Sequence, residues 1–220
     1  MKRILFAIPT EGGLHGLSAA AASLLNQRHS GQLDFIVVTG RPVDFVRNAI
    51  VRQFLAHDYQ YLFLMDSDIV PPPDVLDLLL HWSESRDAPL VGGCYPVLGE
   101  GGYLRWALAH RGTDGHYRLI RDLPDTELPF AVDAAGAGCL LIRRDVFTHT
   151  KWPWFKWVEN EDGSQISEDI SFFSQCNDAG LQLLVDPTII CEHQKSLNLT
   201  SLMRARMSKQ TKETPPCGSA

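Results

Sequence analysis

The sequence predicts an α/β domain: a central, mostly parallel sheet flanked by helices, with a small antiparallel second part. Three observations carry this expectation. First, short apolar runs alternate with stretches of helical periodicity. The order is strand–helix three times and then a strand, which calls for parallel strands joined by right-handed crossovers. Second, the run Tyr61 to Met65 is apolar throughout and reads as a strand buried on both faces. Third, after Cys94-Tyr95-Pro96 the pattern changes to short strands separated by turn residues.

Taken in order, Ile4 to Ile8 is the first strand, closed by Pro9-Thr10-Glu11-Gly12-Gly13. The glycine pair either lets a ligand approach the backbone or makes a plain turn. Leu14, Leu17, Ser18, Ala21, Leu24 and Leu25 then recur at helical spacing. Leu33 to Val38 is the second strand, ended by Thr39-Gly40-Arg41-Pro42. Asp44 is placed to cap a helix whose apolar stripe is Phe45, Ile50, Val51, Phe54 and Leu55. Arg47, in its first turns, either reaches a phosphate or base or lies on a solvated face. The third strand, Tyr61 to Met65, precedes a helix opened by Asp74 and carrying Val75, Leu78, Leu79 and Trp82. Leu90 to Gly93 is the fourth strand.

In the second part, Leu104 to Ala109 and Tyr117 to Ile120 read as a hairpin turning at Gly112-Thr113-Asp114-Gly115. Phe130 to Ala134 is a further strand. The small residues Gly136, Ala137 and Gly138 follow, then a strand from Cys139 to Ile142. Such a run either lets a bulky ligand lie against backbone or packs two elements tightly. Asp145 starts a short helix. Trp152, Trp154 and Trp157 then sit in a loop with Pro153, suited to stacking on a sugar or base, or to a satellite cluster. Ser167 caps a helix beginning Glu168-Asp169, and Gly180 ends it. Acids in a first turn are ordinary dipole partners as well as candidate catalysts. Gln182 to Val185 and Ile189 to Glu192 are two final strands separated by Asp186-Pro187, with His193 directly after.

The bulk properties bound the answer. A chain of 220 residues, 45 % hydrophobic, suits one soluble domain with a sizeable core, and a net charge of −6 disfavours non-specific binding to nucleic acid or anionic membrane. Five cysteines, an odd number with no C-x-x-C pair, read as reduced structural thiols of a cytoplasmic protein rather than a zinc site. The apolar start stops at Pro9, too short for a secretory signal, and no apolar run approaches a membrane span.

Chemistry concentrates at Asp66-Ser67-Asp68, directly after the buried third strand. In extended backbone these two carboxylates point the same way, at the strand edge where open α/β sheets bind ligands. Two hard oxygen ligands there suit Mg²⁺ or Mn²⁺, with phosphate oxygens completing the shell.

The ordered set of motifs resembles GT-A-fold glycosyltransferases of the family-2-like group, over about residues 1 to 195. The matching pieces are Ile8-Pro9-Thr10 at the first strand end, Arg47-Asn48-Ala49 as an A-R-N-A helix start, and Leu62 to Asp68 plus prolines as a D-x-D motif. Gly136 to Arg144 matches the segment beside the donor sugar, Ser167 to Phe172 the E-D motif, and His193 a late metal-binding histidine. The resemblance implies that Asp66, Asp68 and His193 hold Mn²⁺ or Mg²⁺. It implies that Pro9, Thr10, Glu11, Arg47, Asp66, Ser67, Gly136, Ala137, Gly138 and Lys195 line the nucleoside-diphosphate sugar donor. Asp169 is then the base that deprotonates an acceptor hydroxyl, with Glu168 supporting it, and Trp152, Trp154 and Trp157 contact the acceptor. Residues 1–195 form the catalytic domain, with a nucleotide-binding half (1–96) and an acceptor half (97–195). Residues 196–220 form a basic, partly disordered tail that is a candidate lid over the diphosphate. Two departures stand out: the second strand ends Val38-Thr39-Gly40-Arg41 without acidic base readers, and Glu11 replaces an aromatic-Asn pair.

Rival classes are a haloacid-dehalogenase-like phosphohydrolase, because Asp66 to Val70 fits D-x-D-x-[TV], and a non-catalytic sugar-binding module using the tryptophans. The phosphohydrolase motif ordinarily sits on the first strand, whereas two strand–helix units precede it here. A sugar-1-phosphate nucleotidyltransferase would need a basic glycine loop after the first strand, which Thr10 to Gly16 lacks.

Overall fold

A computed structural model describes residues 3–98, 103–159, 163, 165–195 and 200. The first part follows the expected alternation: β1 (Ile4–Thr10), α1 (Gly16–Arg28), β2 (Leu33–Thr39), α2 (Val43–Leu55) and β3 (Tyr61–Met65). A short β4 (Ile69–Val70), α3 (Val75–Ser85) and β5 (Leu90–Cys94) follow. The second part comprises β6 (Pro96–Leu98), β7 (Leu104–Trp106), β8 (Leu108–Arg111), β9 (Tyr117–Leu119), β10 (Phe130–Val132), β11 (Ala134–Ala135) and β12 (Cys139–Arg143). It ends with α4 (Val146–His149), β13 (Val158–Glu159), β14 (Gln165–Ile166), α5 (Glu168–Asp178), β15 (Leu183–Ile190) and β16 (Glu192–His193).

The seven-stranded sheet has the order β10-β15-β5-β12-β3-β1-β2. It is mixed, which corrects the expectation of a mostly parallel sheet. β1 pairs in parallel with β2 and β3, and β15 with β5, but β12 enters antiparallel between β3 and β5, and β10 runs antiparallel to β15. The reason lies in the connection. The chain leaves the end of β5, passes through the small second sheet, and returns on the same edge at Gly138, so β12 starts where β3 and β5 finish.

Three further expectations are corrected. The stretch 104–109 is split: β7 pairs back onto β6, and β8 pairs forward onto β9. The last two strands are one, β15, with a register shift between Val185 and Ile190. Pro187 lacks an N–H and is tolerated at this irregularity, while Asp186 accepts hydrogen bonds from Thr188 N (2.8 Å) and Trp82 Nε1 (2.6 Å). Asp44 lies inside the first turn of α2, with Pro42 at the N-cap position.

Alternation along β1 separates two cores. Leu5 and Ala7 join Ile50 and Phe54 of α2 and Phe172 of α5, whereas Ile4, Phe6 and Ile8 join Leu25 of α1 and Leu79 of α3. The expected stripe of α1 is rotated: Ser18, Ala22 and Leu25 are buried, and Leu17 and Leu24 face solvent. Helix ends are satisfied by name. The Arg144 guanidinium donates to the carbonyls of Leu55 (2.9 Å) and His57 (2.6 Å), closing the C-terminus of α2. Gly180, at φ +73°, donates to Asn177 O while Leu181 N donates to Cys176 O, a Schellman closure of α5. Cys94, Cys139, Cys176 and Cys191 are buried free thiols. Among the described residues no helix is long and apolar enough to cross a membrane. The proposed tail from 196 onward lies outside the described residues, apart from Thr200.

Candidate functional site

The functional side chains gather at the edge where β1, β3, β5 and β15 end and β12 begins. Cys139 pairs with Met65, and Ile190 with Cys94, so Asp66, Tyr95, Gly138 and Cys191 leave the sheet side by side. The segment Asp66-Ser67-Asp68 is not extended. Ile69 N donates to Asp66 O (3.1 Å), closing a turn, so the two carboxylates diverge. The expected single coordination sphere of Asp66, Asp68 and His193 is therefore not formed, and among the described residues no group of three His, Cys, Asp or Glu gathers to hold a metal.

Asp66 faces inward. Its Oδ1 accepts a hydrogen bond from Arg47 Nη2 (2.7 Å), and Arg47 Nη1 donates to Glu168 Oε1. The Arg47 side chain is 4 % exposed and Glu168 6 %. Arg47 is therefore turned away from solvent and ties the D-x-D turn to the E-D helix start. Burial works against its charge, but Asp66, Glu168 and Asp169 together hold it protonated. Burial pushes the Glu168 carboxyl up, and the neighbouring Asp169 and Asp66 add to this against the pull of Arg47. Next to Arg47, Asn48 clamps the aromatic loop. Its Oδ1 accepts from Trp154 N (3.0 Å) and Phe155 N (3.2 Å), and its Nδ2 donates to Phe155 O (2.6 Å).

Asp68 faces outward. Its Oδ2 accepts a hydrogen bond from Lys195 Nζ (2.6 Å) and lies 3.3 Å from His193 Nε2. His193 Nδ1 is 2.7 Å from the Pro96 carbonyl, which can only accept, so Nδ1 carries a proton; in the imidazolium form Nε2 carries one as well and donates to Asp68, and in the neutral form Nε2 is the free lone pair. Burial pushes the Asp68 carboxyl up, but hydrogen bonds from His193 and Lys195 outweigh it and bring it down to about 2. The same bond to Asp68 raises His193 against the effect of burial. One carboxylate and one oriented imidazole suit a divalent cation. Cis ligands of an octahedral ion at about 2.1 Å stand about 3 Å apart, close to the 3.3 Å seen here. Two protein ligands leave positions for phosphate oxygens and water.

Asp169 lies half-buried at the start of α5. Its Oδ1 accepts from Ile170 N (2.8 Å) and from Ser167 Oγ, and the residue lines a cavity of about 150 Å³ with Gly136, Ala135 and Ile170. A neighbouring cavity of about 560 Å³, sharing Ala109, Leu119, Ser167 and Ile170 with the first, extends to His116, Tyr117 and Trp157. Trp157 is 52 % exposed, and Trp152 is exposed beneath the guanidinium of Arg52. Trp154 is buried against Phe147, which leaves it no face for an acceptor and corrects its expected role.

The remaining expected donor residues are placed as follows. Pro9 is buried within β1. Thr10 organises the glycine loop: its Oγ1 accepts from Gly13 N (2.9 Å) and donates to Gly13 O (2.7 Å). Glu11 is exposed and pairs with Arg41. His15 N donates to Ser67 O (2.9 Å), which ties that loop to the D-x-D turn. Gly136 and Gly138 do not present open backbone. A Cβ on Gly136 would overlap the Tyr95 hydroxyl, and one on Gly138 would stand 2.9 Å from both that hydroxyl and Asp66 Oδ2. Ala137 is fully buried between them. The close packing of two elements accounts for these small residues. Tyr95 itself is absent from the sequence-based candidates. Its place directly after a buried strand, the logic that singled out Asp66, was the available signal.

The fold is shared with solved structures at low sequence identity. The chain is similar to A197 from STIV, with 20 % identity, 88 % of this chain and 86 % of that chain covered, and a TM-score of 0.61. It is also similar to GalNAc-T7, solved with UDP, GalNAc and Mn²⁺, with 13 % identity, 90 % of this chain and 45 % of that chain covered, and a TM-score of 0.55. No family model matches the sequence, and no curated protein matches it.

Proposed function

We propose that this protein is a glycosyltransferase that moves a sugar from a nucleoside-diphosphate sugar to an acceptor hydroxyl with Mn²⁺ or Mg²⁺. The observation that carries this reading is the pairing of Asp68 with Nε2 of His193 at the strand edge, in a turn whose Asp66 is joined through Arg47 to Glu168 at the helix start that holds Asp169. GalNAc-T7, which shares the fold, was solved with UDP and Mn²⁺, in keeping with that chemistry. Asp68 and His193 would hold the cation, which supplies positive charge to the diphosphate leaving group. Lys195, whose Nζ already reaches Asp68, is close enough to add a charge-assisted hydrogen bond to a phosphate. Asp169 has one oxygen fixed by Ile170 N, leaving Oδ2 for the acceptor O–H. It accepts that proton as the acceptor oxygen bonds to the sugar's anomeric carbon and the bond from that carbon to the diphosphate breaks. Configuration is inverted. The cavity from Asp169 to Trp157 is assigned to the acceptor, with Trp157 as its aromatic platform. Glu168, bound to Arg47, holds the helix start in place rather than touching the acceptor. Asp66 Oδ1 is engaged by the same arginine, which disfavours the nucleophilic role that a phosphohydrolase needs.

Isothermal titration of a nucleoside-diphosphate panel, with and without Mn²⁺, identifies the base. No Mn²⁺-dependent binding of any of them would sink the reading. Asp169→Asn lowers initial transfer at saturating donor by about 10²- to 10⁴-fold while leaving nucleotide affinity and the thermal melt near wild type. Full transfer in a folded Asp169→Asn protein would remove the assigned base.

A further inference from the structure

We propose that Tyr95 is the positioning residue of this site: one side chain that fixes both the Gly136–Gly138 turn beside Asp66 and the ring of His193. The inference rests on the transferase reading for the ligands it invokes, but its geometry stands apart. Tyr95 is 5 % exposed and leaves the end of β5, in the middle of the functional edge. At its far end the hydroxyl accepts a hydrogen bond from Gly138 N (3.1 Å), and Gly138 O in turn accepts from Asp66 N (3.0 Å). Asp66 and the glycine turn are thus set against each other through this hydroxyl. The overlap that a Cβ on Gly136 would make with the same oxygen shows how closely the turn wraps it.

The backbone repeats the connection. Tyr95 O accepts from Ala107 N (3.0 Å), and Ala107 O accepts from Gly136 N (2.7 Å), so both ends of the residue hold one turn. On its other side the ring meets His193 edge to face, with centroids 5.4 Å apart at 83°. His193 is fixed by Pro96 O through Nδ1 and by this ring through its face, which leaves Nε2 aimed at Asp68. Burial, with the carboxylates of Asp66 and Asp169 nearby, raises the phenol well above its ordinary range, so the hydroxyl stays protonated. Among the described residues that proton has no hydrogen-bond acceptor, and Asp66 Oδ2 is the nearby carboxylate oxygen facing the same glycine.

Two variants separate the hydroxyl from the ring. Tyr95→Phe keeps the packing on His193 and strands the Gly138 N–H. It weakens UDP binding in the presence of Mn²⁺ by about ten-fold and leaves Mn²⁺ binding alone, read by electron paramagnetic resonance, unchanged. Tyr95→Ala weakens both. A residue that only fills space would behave differently: Tyr95→Phe would lower the melting temperature and leave UDP affinity untouched, which overturns the proposal. A ligand-free measurement accompanies these. Gly136→Ala and Tyr95→Phe are combined, and the double variant loses less stability than the sum of the two single losses, because the second change removes the atom that the first one strikes. Additive losses overturn the proposal whatever the wild type binds. If the wild type binds neither Mn²⁺ nor UDP, the transferase reading fails while the stability cycle still decides the role of Tyr95 in shaping the turn.

Discussion

Asp66 and Asp68 stand two residues apart in one motif and lead opposite lives. Asp66 is bound by a guanidinium that is 4 % exposed and shared with a buried glutamate. Asp68 is bound by an ammonium that is 61 % exposed and carried at the end of a strand. The first partner cannot leave without stranding two carboxylates, Asp66 and Glu168, in a poorly hydrated place. The second can swing into water at little cost. A turn of four residues thus divides the motif into a fixed half, which belongs to the fold, and an exchangeable half, whose cation is an exposed ammonium.

Arg47→Met attacks the fixed half and has the largest effect. It leaves Asp66 and Glu168 without their cation, and stability falls by about 3–5 kcal/mol, measured by urea unfolding. A loss below about 1 kcal/mol would place Arg47 among ordinary surface ion pairs and erase the distinction. Asp68→Asn attacks the exchangeable half. Mn²⁺ affinity drops by about a hundred-fold, read by titration, while the melt stays close to wild type. Equal damage to stability would make both halves structural. Lys195→Met is subtler: with no nucleotide present, removing the competing ammonium tightens Mn²⁺ binding by about two- to five-fold. Weaker Mn²⁺ binding in that variant would mean that the ammonium helps the cation rather than standing in for it.

The smallest effect is a pH slope. The Glu168 carboxyl is raised in the folded state, so the folded protein holds its proton more readily than the unfolded chain. That advantage is complete below the ordinary glutamate range and is lost as pH rises through the raised value. Wild type therefore loses stability relative to Glu168→Gln as pH increases across that window. Parallel pH–stability curves for the two proteins would show that Arg47 fully offsets burial.

Particular residues show what was legible beforehand. Tyr61 to Met65 read as a doubly buried strand because every position is apolar, and Gly180 read as a helix terminator because its neighbours supply the periodicity it interrupts. His193 was expected beside Asp68 as a metal ligand and Lys195 beside the diphosphate; the structure sets both side chains against Asp68. Asp66 and Asp68 do not point the same way because the alternation rule holds only while backbone stays extended, and the turn begins one residue past Met65. Gly136 and Gly138 were given to the donor by the resemblance, while the residues alone left a ligand and tight packing both open, because glycine shows that something comes close without saying what. The answer, Tyr95, comes from another strand. Trp154 looked like its exposed neighbours in sequence; Asn48 and Gln175, on two helices distant in sequence, draw its backbone inward. Long-range partners of this kind leave no periodic mark.

The insertion of β12 between β3 and β5 also bears on how the protein is made. A growing chain that has emerged only through Cys94 has the two flanking strands but not the one that separates them. Their inner edges stay unpaired until Cys139–Arg143 arrives, and pairings this distant in sequence form slowly. Exposed strand edges of that kind recruit other chains. The strand that fills the gap also carries Gly138 up to Asp66, so the glycine turn beside Asp66 forms in the same event that closes the gap.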